Sequence, residues 1–173
     1  MYAGFWLRLK AFAVDYLLIF GYLLLVMFGT MFLVPSLQEL FQASRITAQL
    51  TGFLLVTFPV SLYFILTDSR IFRQSFGKRK MRICVVDASN RPISVYRAIF
   101  RTVLKFLPWE LSHFMAYRMI YLGDGNVQLL DYLIGGSIYA LILLYIFLAI
   151  FTQNKQSLYD RLAKTYVVKL NFS

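Results

Sequence analysis

Four ionisable side chains of this sequence lie within or beside apolar segments, at spacings that bring them together in pairs. Glu110 and His113 are three residues apart, so they share one face of a helix. Arg8 and Asp15 are seven residues apart, nearly two helical turns, and they also project to one side. An acid beside an imidazole can relay protons, whereas an arginine beside an aspartate can hold helices together. These four residues and Asp160 are therefore our candidates either for an ion or proton pathway or for a structural cluster of buried polar groups.

Apolar segments that would hold these side chains in a membrane recur four times along the chain. Three of them contain no charged residue over at least 22 positions, and about 20 helical residues are enough to cross the hydrocarbon core. The fourth is apolar but is interrupted by Glu110, His113 and Arg118. The sequence therefore predicts an all-α membrane protein with four transmembrane helices in one domain, residues 1–173. The predicted spans are about 11–34, 46–67, 106–122 and 129–151, with a long loop at 68–105.

The basic residues are distributed asymmetrically around these segments. Of the 18 Lys and Arg residues, two precede the first span, ten lie in the 68–105 loop and four follow the last span. Loops rich in Lys and Arg stay on the cytoplasmic side of a membrane. We therefore expect both termini and the long loop to lie in the cytoplasm.

Composition excludes most other classes of protein. Sixty per cent of the residues are hydrophobic and the mean hydropathy is +0.65, more than a soluble domain of 173 residues can bury. Topology and anionic lipids account for the net charge of +10, and no groove-reading module indicates binding to nucleic acid. Hydrolase, zinc-protease and phosphate-loop motifs are absent, and one His and one Cys cannot build a conventional zinc site. We expect no enzymatic activity, no cofactor and no metal.

The long loop is predicted to have structure of its own. Residues 81–86 alternate as a strand, 87–92 have the composition of a turn, and 93–96 can return beside the strand. This pattern predicts a small β-hairpin in the middle loop.

Basic residues after this hairpin recur at helical spacing. Arg97, Arg101 and Lys105 follow one another every four residues, which predicts one basic face of an amphipathic helix lying on the membrane. Together with Lys78 and Arg79, these residues are our candidates for binding the headgroups of anionic lipids.

An internal repeat is visible at an offset of 82 residues. QSFGKR at 74–79 aligns with QSLYDR at 156–161, and the Val pair at 85–86 aligns with the pair at 167–168. Each copy follows an even-numbered span, which favours a duplicated two-helix unit whose copies have the same orientation. The alternative is coincidence between two segments of similar composition beside the membrane.

Three of these segments together resemble the RDD family, small bacterial integral membrane proteins named for one Arg and two Asp. They are YAGFWLRL at 2–9 leading to Asp15, QSFGKR before VVD at 85–87, and QSLYDRLA at 156–163 before the second Val pair. Arg8 and Asp15 occur where the family has its Arg and first Asp. Asp160 best matches the second Asp, and Asp68 is the alternative. Lys164 departs from the pattern, because the family usually has Gly there, and LPWELSH at 107–113 resembles one branch only.

The resemblance implies a multi-pass protein of the bacterial inner membrane, and it leaves the activity open between classes. Transport is the activity suggested for the family, usually cation/proton exchange, which here would use the intramembrane carboxylates. Four helices make a thin wall around a pathway, so this hypothesis calls for a homo-oligomer. The alternative is a non-catalytic regulator or adaptor that binds another membrane protein, such as a protease, or anionic lipid, in an envelope-stress response.

Overall fold

Long apolar helices dominate the computed structural model of the protein, which describes residues 1–123 and 125–170. In the described residues the helices are α1 Phe5–Phe28, α2 Ser36–Ala43, α3 Arg45–Gly52, α4 Phe58–Asp68, α5 Phe76–Lys80, α6 Val95–Leu122, α7 Leu129–Phe151 and α8 Leu158–Leu162. The strands are β1 Ile83–Val86 and β2 Tyr166–Lys169.

Three helical runs of the described residues are long and apolar enough to cross a membrane. The first is Phe5–Leu33, in which a π-helical turn extends α1; the second is Arg45–Asp68, in which α3 continues through another such turn into α4; the third is α7. The first begins at Phe5, six residues before the predicted start, so the residues just before the predicted span belong to the helix itself. The predicted fourth span, 106–122, lies within α6. That helix has 28 residues, but it carries five charged side chains and is not one of the three.

Proline residues interrupt two of the long helices. At each of them a tyrosine hydroxyl from a neighbouring helix donates a hydrogen bond to the carbonyl four residues before the proline. Because Pro59 has no N–H, the carbonyl of Leu55 loses its helical donor; the Tyr22 hydroxyl donates to it at 2.7 Å. In α6, Pro108 leaves the carbonyl four residues before it without a donor in the same way. The Tyr145 hydroxyl of α7 donates to that carbonyl at 2.6 Å. Both prolines are therefore accommodated, as membrane helices require.

The predicted strand of the long loop exists, but its predicted hairpin partner is wrong. β1 pairs antiparallel with β2 from the end of the chain, and Val85 lies opposite Val167. Residues 93–96 do not form a second arm, because Ser94 caps α6 and the helix begins at Val95. Pairing with β2 buries both valines, each only 2% exposed, in a small apolar core that a local hairpin would leave uncovered. This sheet and its surrounding segments, 69–94 and 152–170, are called the cap below.

The cap reproduces the repeat seen in the sequence. α5 and α8 have five residues each, start after Ser75 and Ser157, and lead into β1 and β2 respectively. The two strands that pair are therefore the corresponding segments of the two copies, and the equivalent residues Val85 and Val167 face each other. An approximate two-fold relation between the copies within the cap supports duplication over coincidence.

The predicted basic face of a surface helix is not presented outward. α6 runs without a break from Val95 to Leu122, and Arg101 on its first half is 3% exposed beside fully buried Ala98. Arg97 is exposed, whereas Arg101 faces the protein interior. The prediction was wrong because Arg101 finds acidic partners on other helices, which spacing along one helix does not reveal.

Candidate functional site

Asp15 is buried where α1 meets the beginning of α5. Its two carboxylate oxygens accept hydrogen bonds from the Ser75 hydroxyl at 2.5 Å, the Gly77 N–H at 2.7 Å and the Tyr63 hydroxyl at 2.8 Å. Asp15 is 1% exposed, as expected of a side chain shielded from lipid. The expectation that it pairs with Arg8 or with a basic residue near the third span is wrong, because uncharged donors surround the carboxylate instead. Asp15 thus fastens α5 to α1 at the point where the first copy of the repeat begins its cap.

This attachment requires a glycine. A Cβ at Gly77 would overlap the carbonyl oxygen of Ala11 and would lie 2.9 Å from the carboxyl carbon of Asp15. The backbone of α5 therefore approaches α1 more closely than any side chain would permit. The corresponding position of the second copy is Tyr159, whose ring packs against Tyr145, so the two copies attach to the long helices differently.

Five charged side chains form a continuous buried row, which we call the charge chain. Asp160 accepts a hydrogen bond from Arg8 at 2.6 Å on one oxygen and lies 2.9 Å from Arg101 on the other. Arg101 also donates to Asp68 at 2.6 Å, and Asp68 in turn pairs with Lys78. Taken in the order of these contacts, from Arg8 to Lys78, the five residues belong to α1, α8, α6, α4 and α5. Charges of alternating sign therefore hold the cap against three of the long helices.

Electrostatics keep Asp160 in this row ionised. Complete burial on its own raises the pKa of this carboxyl, but the guanidinium groups of Arg101 and Arg8 outweigh burial. The pKa of Asp160 therefore lies below its usual range, and the carboxylate carries its negative charge at neutral pH. The sequence left Asp68 as an alternative to Asp160 for the second family Asp; the structure joins both to Arg101.

Glu110 and His113 remain together but lie apart from the charge chain. Their side chains share a face of α6, with His113 Nδ1 3.8 Å from Glu110 Oε2, and both are about 30% exposed. Trp109 packs edge-on against the imidazole. One carboxylate oxygen of Glu110 is buried and accepts no hydrogen bond within the described part of the chain. The structure therefore does not bring this pair to Asp15, Arg8 or the other buried carboxylates.

Of the five residues predicted to bind lipid headgroups, some lie in the interior of the protein and others at its surface. Lys78 and Arg101 are buried in the charge chain, and Lys105 lies over the ring of Phe64, 3.6 Å from its centroid. Arg79 and Arg97 remain exposed. Of the five, only Arg79 and Arg97 lie at the surface, where the sequence predicted residues that contact lipid headgroups.

An ion pair at the opposite end of the long helices was missed by reasoning from sequence. Arg118 of α6 makes a bidentate contact with Asp131 of α7, and Asp131 also accepts a hydrogen bond from the Gln128 N–H at the start of α7. A signal was present, because an arginine within an apolar segment needs a partner and Asp131 lies at the start of the next apolar segment. This contact ties α6 to α7.

A cavity of about 480 Å³ lies beside the charge chain, between α1, α6 and α7. Its lining includes Asp15 and four basic side chains but not Glu110 or His113, so these two residues do not share this cavity with Asp15. Among residues 1–123 and 125–170, no three His, Cys, Asp or Glu side chains are grouped to hold a metal ion.

Apolar helices long enough to span a membrane, joined at one end by a cap and a row of buried ion pairs, define a helical membrane protein. The sequence profile of the RDD family matches residues 2–164, nearly the whole chain. The protein therefore belongs to the RDD family, whose members are membrane proteins. No curated protein and no solved structure matches the chain.

Proposed function

We propose that this protein is a non-catalytic regulator or adaptor of a bacterial inner membrane that docks another membrane protein through α7. The observation that carries the proposal is the outer face of this helix. Gly136 and Ala140, four residues apart, are both exposed, and a Cβ at Gly136 would meet nothing within 4 Å. Small residues at this spacing let a second helix approach closely in lipid. The exposed rings of Tyr139 and Phe147 flank them.

The state of the buried charges supports a binding role over ion exchange. The carboxylates of Asp68 and Asp160 are each held by two cationic groups, and Asp15 is held by three uncharged donors. A carboxylate that exchanges ions has to release its partners in each cycle, and buried pairs resist this separation strongly. The cap is therefore a fixed platform on the long helices, suited to presenting a surface.

Purification in a mild detergent tests the docking role. The wild-type protein should retain another membrane protein in stoichiometric amount, and Gly136→Leu should lose it because the bulkier side chain prevents close approach. Gly21→Leu is the matched control, since Gly21 is also an exposed glycine of a long helix with open space around it. If Gly136→Leu retains the partner as well as the control does, the proposed interface is wrong.

The topology that goes with this proposal has four spans, with α6 as the third and both termini in the cytoplasm. Reporter fusions at Ser89 should report the cytoplasm, whereas fusions at Gln42 and Asn126 should report the external side. An external Ser89 would contradict the orientation of the whole protein.

A second candidate function is proton-linked cation exchange, and the pair on α6 is the observation that favours it. The buried oxygen of Glu110 lies 3.8 Å from the imidazole of His113 and accepts no hydrogen bond from residues 1–123 or 125–170, so it has capacity for a proton or cation. Purified protein in proteoliposomes should then show cation flux driven by a pH gradient, which Glu110→Gln abolishes. Glu39→Gln, at an exposed position outside the long helices, is the control. Flux that survives Glu110→Gln, or no flux from the wild type, would exclude this function.

A further inference from the structure

The cavity beside the charge chain has apolar walls for most of its length. Aromatic and aliphatic side chains from four helices form these walls, among them Phe12, Phe64, Trp109, Ile142 and Ile146. Its volume, about 480 Å³, is within the range of sites for small organic ligands, which is roughly 300–1,000 Å³. Apolar walls of this extent favour a hydrocarbon over water.

The inner end of the cavity is cationic. Lys105 lines it, and its ammonium neither donates a hydrogen bond nor forms an ion pair in the described residues; three aromatic rings surround it instead. The Nη2 atom of Arg8 at the same end is buried and makes no hydrogen bond within residues 1–123 and 125–170. With Lys78 and Arg101, four basic side chains line this end. Asp15 also lines the cavity, but its carboxylate and those of the charge chain already have partners. Donors without acceptors at a cationic site favour an anion.

The cavity opens sideways between α1 and α7. Its lining residues on these two helices are partly exposed, between 37% and 41%, at Leu9, Phe12, Tyr16, Ile142 and Ile146. Both helices are apolar enough to span a membrane, so this opening faces acyl chains rather than water. A molecule that enters from the lipid therefore meets hydrocarbon-like walls first and cations last.

We propose that this cavity binds one anionic phospholipid, with its phosphate against Lys105 and Arg8 and an acyl chain along the wall between α1 and α7. The phosphate supplies acceptors to the Lys105 ammonium and to the Nη2 atom of Arg8, neither of which has one in the described residues, and the chain covers the apolar walls. The site uses a different face of α7 from Gly136 and Ala140, so it is independent of the docking role proposed above.

Native mass spectrometry of the purified protein in detergent tests this site with two defined probes, phosphatidylglycerol and phosphatidylcholine. We expect the wild type to bind one phosphatidylglycerol in preference to phosphatidylcholine by about tenfold, as a charge-assisted contact at a buried site implies. Lys105→Met keeps the length and apolar stem of the side chain and should remove this preference. Lys80→Met, at an exposed position of the cap, should keep it.

A second variant tests the apolar part of the site without changing charge. Ile142→Trp fills the space between α1 and α7 from a partly exposed position, and it should reduce binding of both lipids. Equal binding of the two lipids by the wild type, or an unchanged preference in Lys105→Met, would overturn the proposal. Displacement of phosphatidylglycerol by millimolar inorganic phosphate would assign the cations to a soluble anion and would overturn it as well. None of these outcomes depends on the docking role, because lipid binding is measured in the same way whether or not a partner protein stays bound in detergent.

Discussion

Replacing Asp160 with asparagine removes the centre of the charge chain without changing its shape. The carboxylate is 0% exposed and holds two guanidinium groups, Arg8 at 2.6 Å and Arg101 at 2.9 Å. Removing one partner of a buried ion pair costs about 3–5 kcal/mol, because the remaining charge stays buried without compensation. Arg101 keeps Asp68 as a partner, so we expect the lower end of this range, about 3 kcal/mol lost from the free energy of unfolding.

Reversible unfolding in mild detergent micelles, followed by circular dichroism, measures this loss. Glu39→Gln is the control, because it also converts an acid to an amide but at an exposed position. We expect the control to change the free energy of unfolding by no more than about 0.5 kcal/mol. If Asp160→Asn unfolds with the same free energy as the control, the charge chain does not hold the cap and the reasoning is refuted.

The same pair of proteins tests the pKa of Asp160. Burial raises this pKa, but Arg101 and Arg8 lower it further, so the folded protein binds the proton less readily than the unfolded chain does. The stabilisation is therefore fully present above the ordinary aspartate pKa, about 3.9, and is lost as pH falls through the lowered value of the folded state. The difference in free energy of unfolding between wild type and Asp160→Asn should shrink on acidification below about pH 4. A difference that grows there would show that the pKa is raised instead.

Two further substitutions test the packing of the cap and of α6. Gly77→Ala should destabilise the protein by about 2 kcal/mol or more in a thermal unfolding assay, because the added methyl group overlaps the backbone of α1. Gly136→Ala is the control: its methyl group enters open space, so the variant should be as stable as the wild type or slightly more stable. Tyr145→Phe should cost about 1 kcal/mol in the same assay, since the carbonyl of Leu104 loses the hydroxyl that donates to it in place of the N–H that Pro108 lacks. Tyr139→Phe, on an exposed ring, should change nothing, and an equal loss in both tyrosine variants would contradict the role of the hydroxyl.

Which residues pair with which was decided by tertiary structure. The spacing of Arg8 and Asp15 correctly predicts that both project from one side of α1, yet each binds a group from a different part of the chain. A helix in isolation specifies a face, while the partner depends on which other helix packs against that face. For the same reason the sequence did not predict the central role of Arg101, which is buried and binds the carboxylates of both Asp68 and Asp160.

The sequence by itself determined the membrane class, three of the long apolar helices, the strand at β1 and the repeat that produces α5 and α8. These features depend on local hydrophobicity and on spacings within one segment, which neighbouring residues are sufficient to specify. Tertiary structure alone decided that Val85 pairs with Val167 rather than with a nearby arm, and that Asp68 and Asp160 share Arg101. Both are contacts between residues that lie tens of positions apart, and their stability comes from burial that no single segment provides.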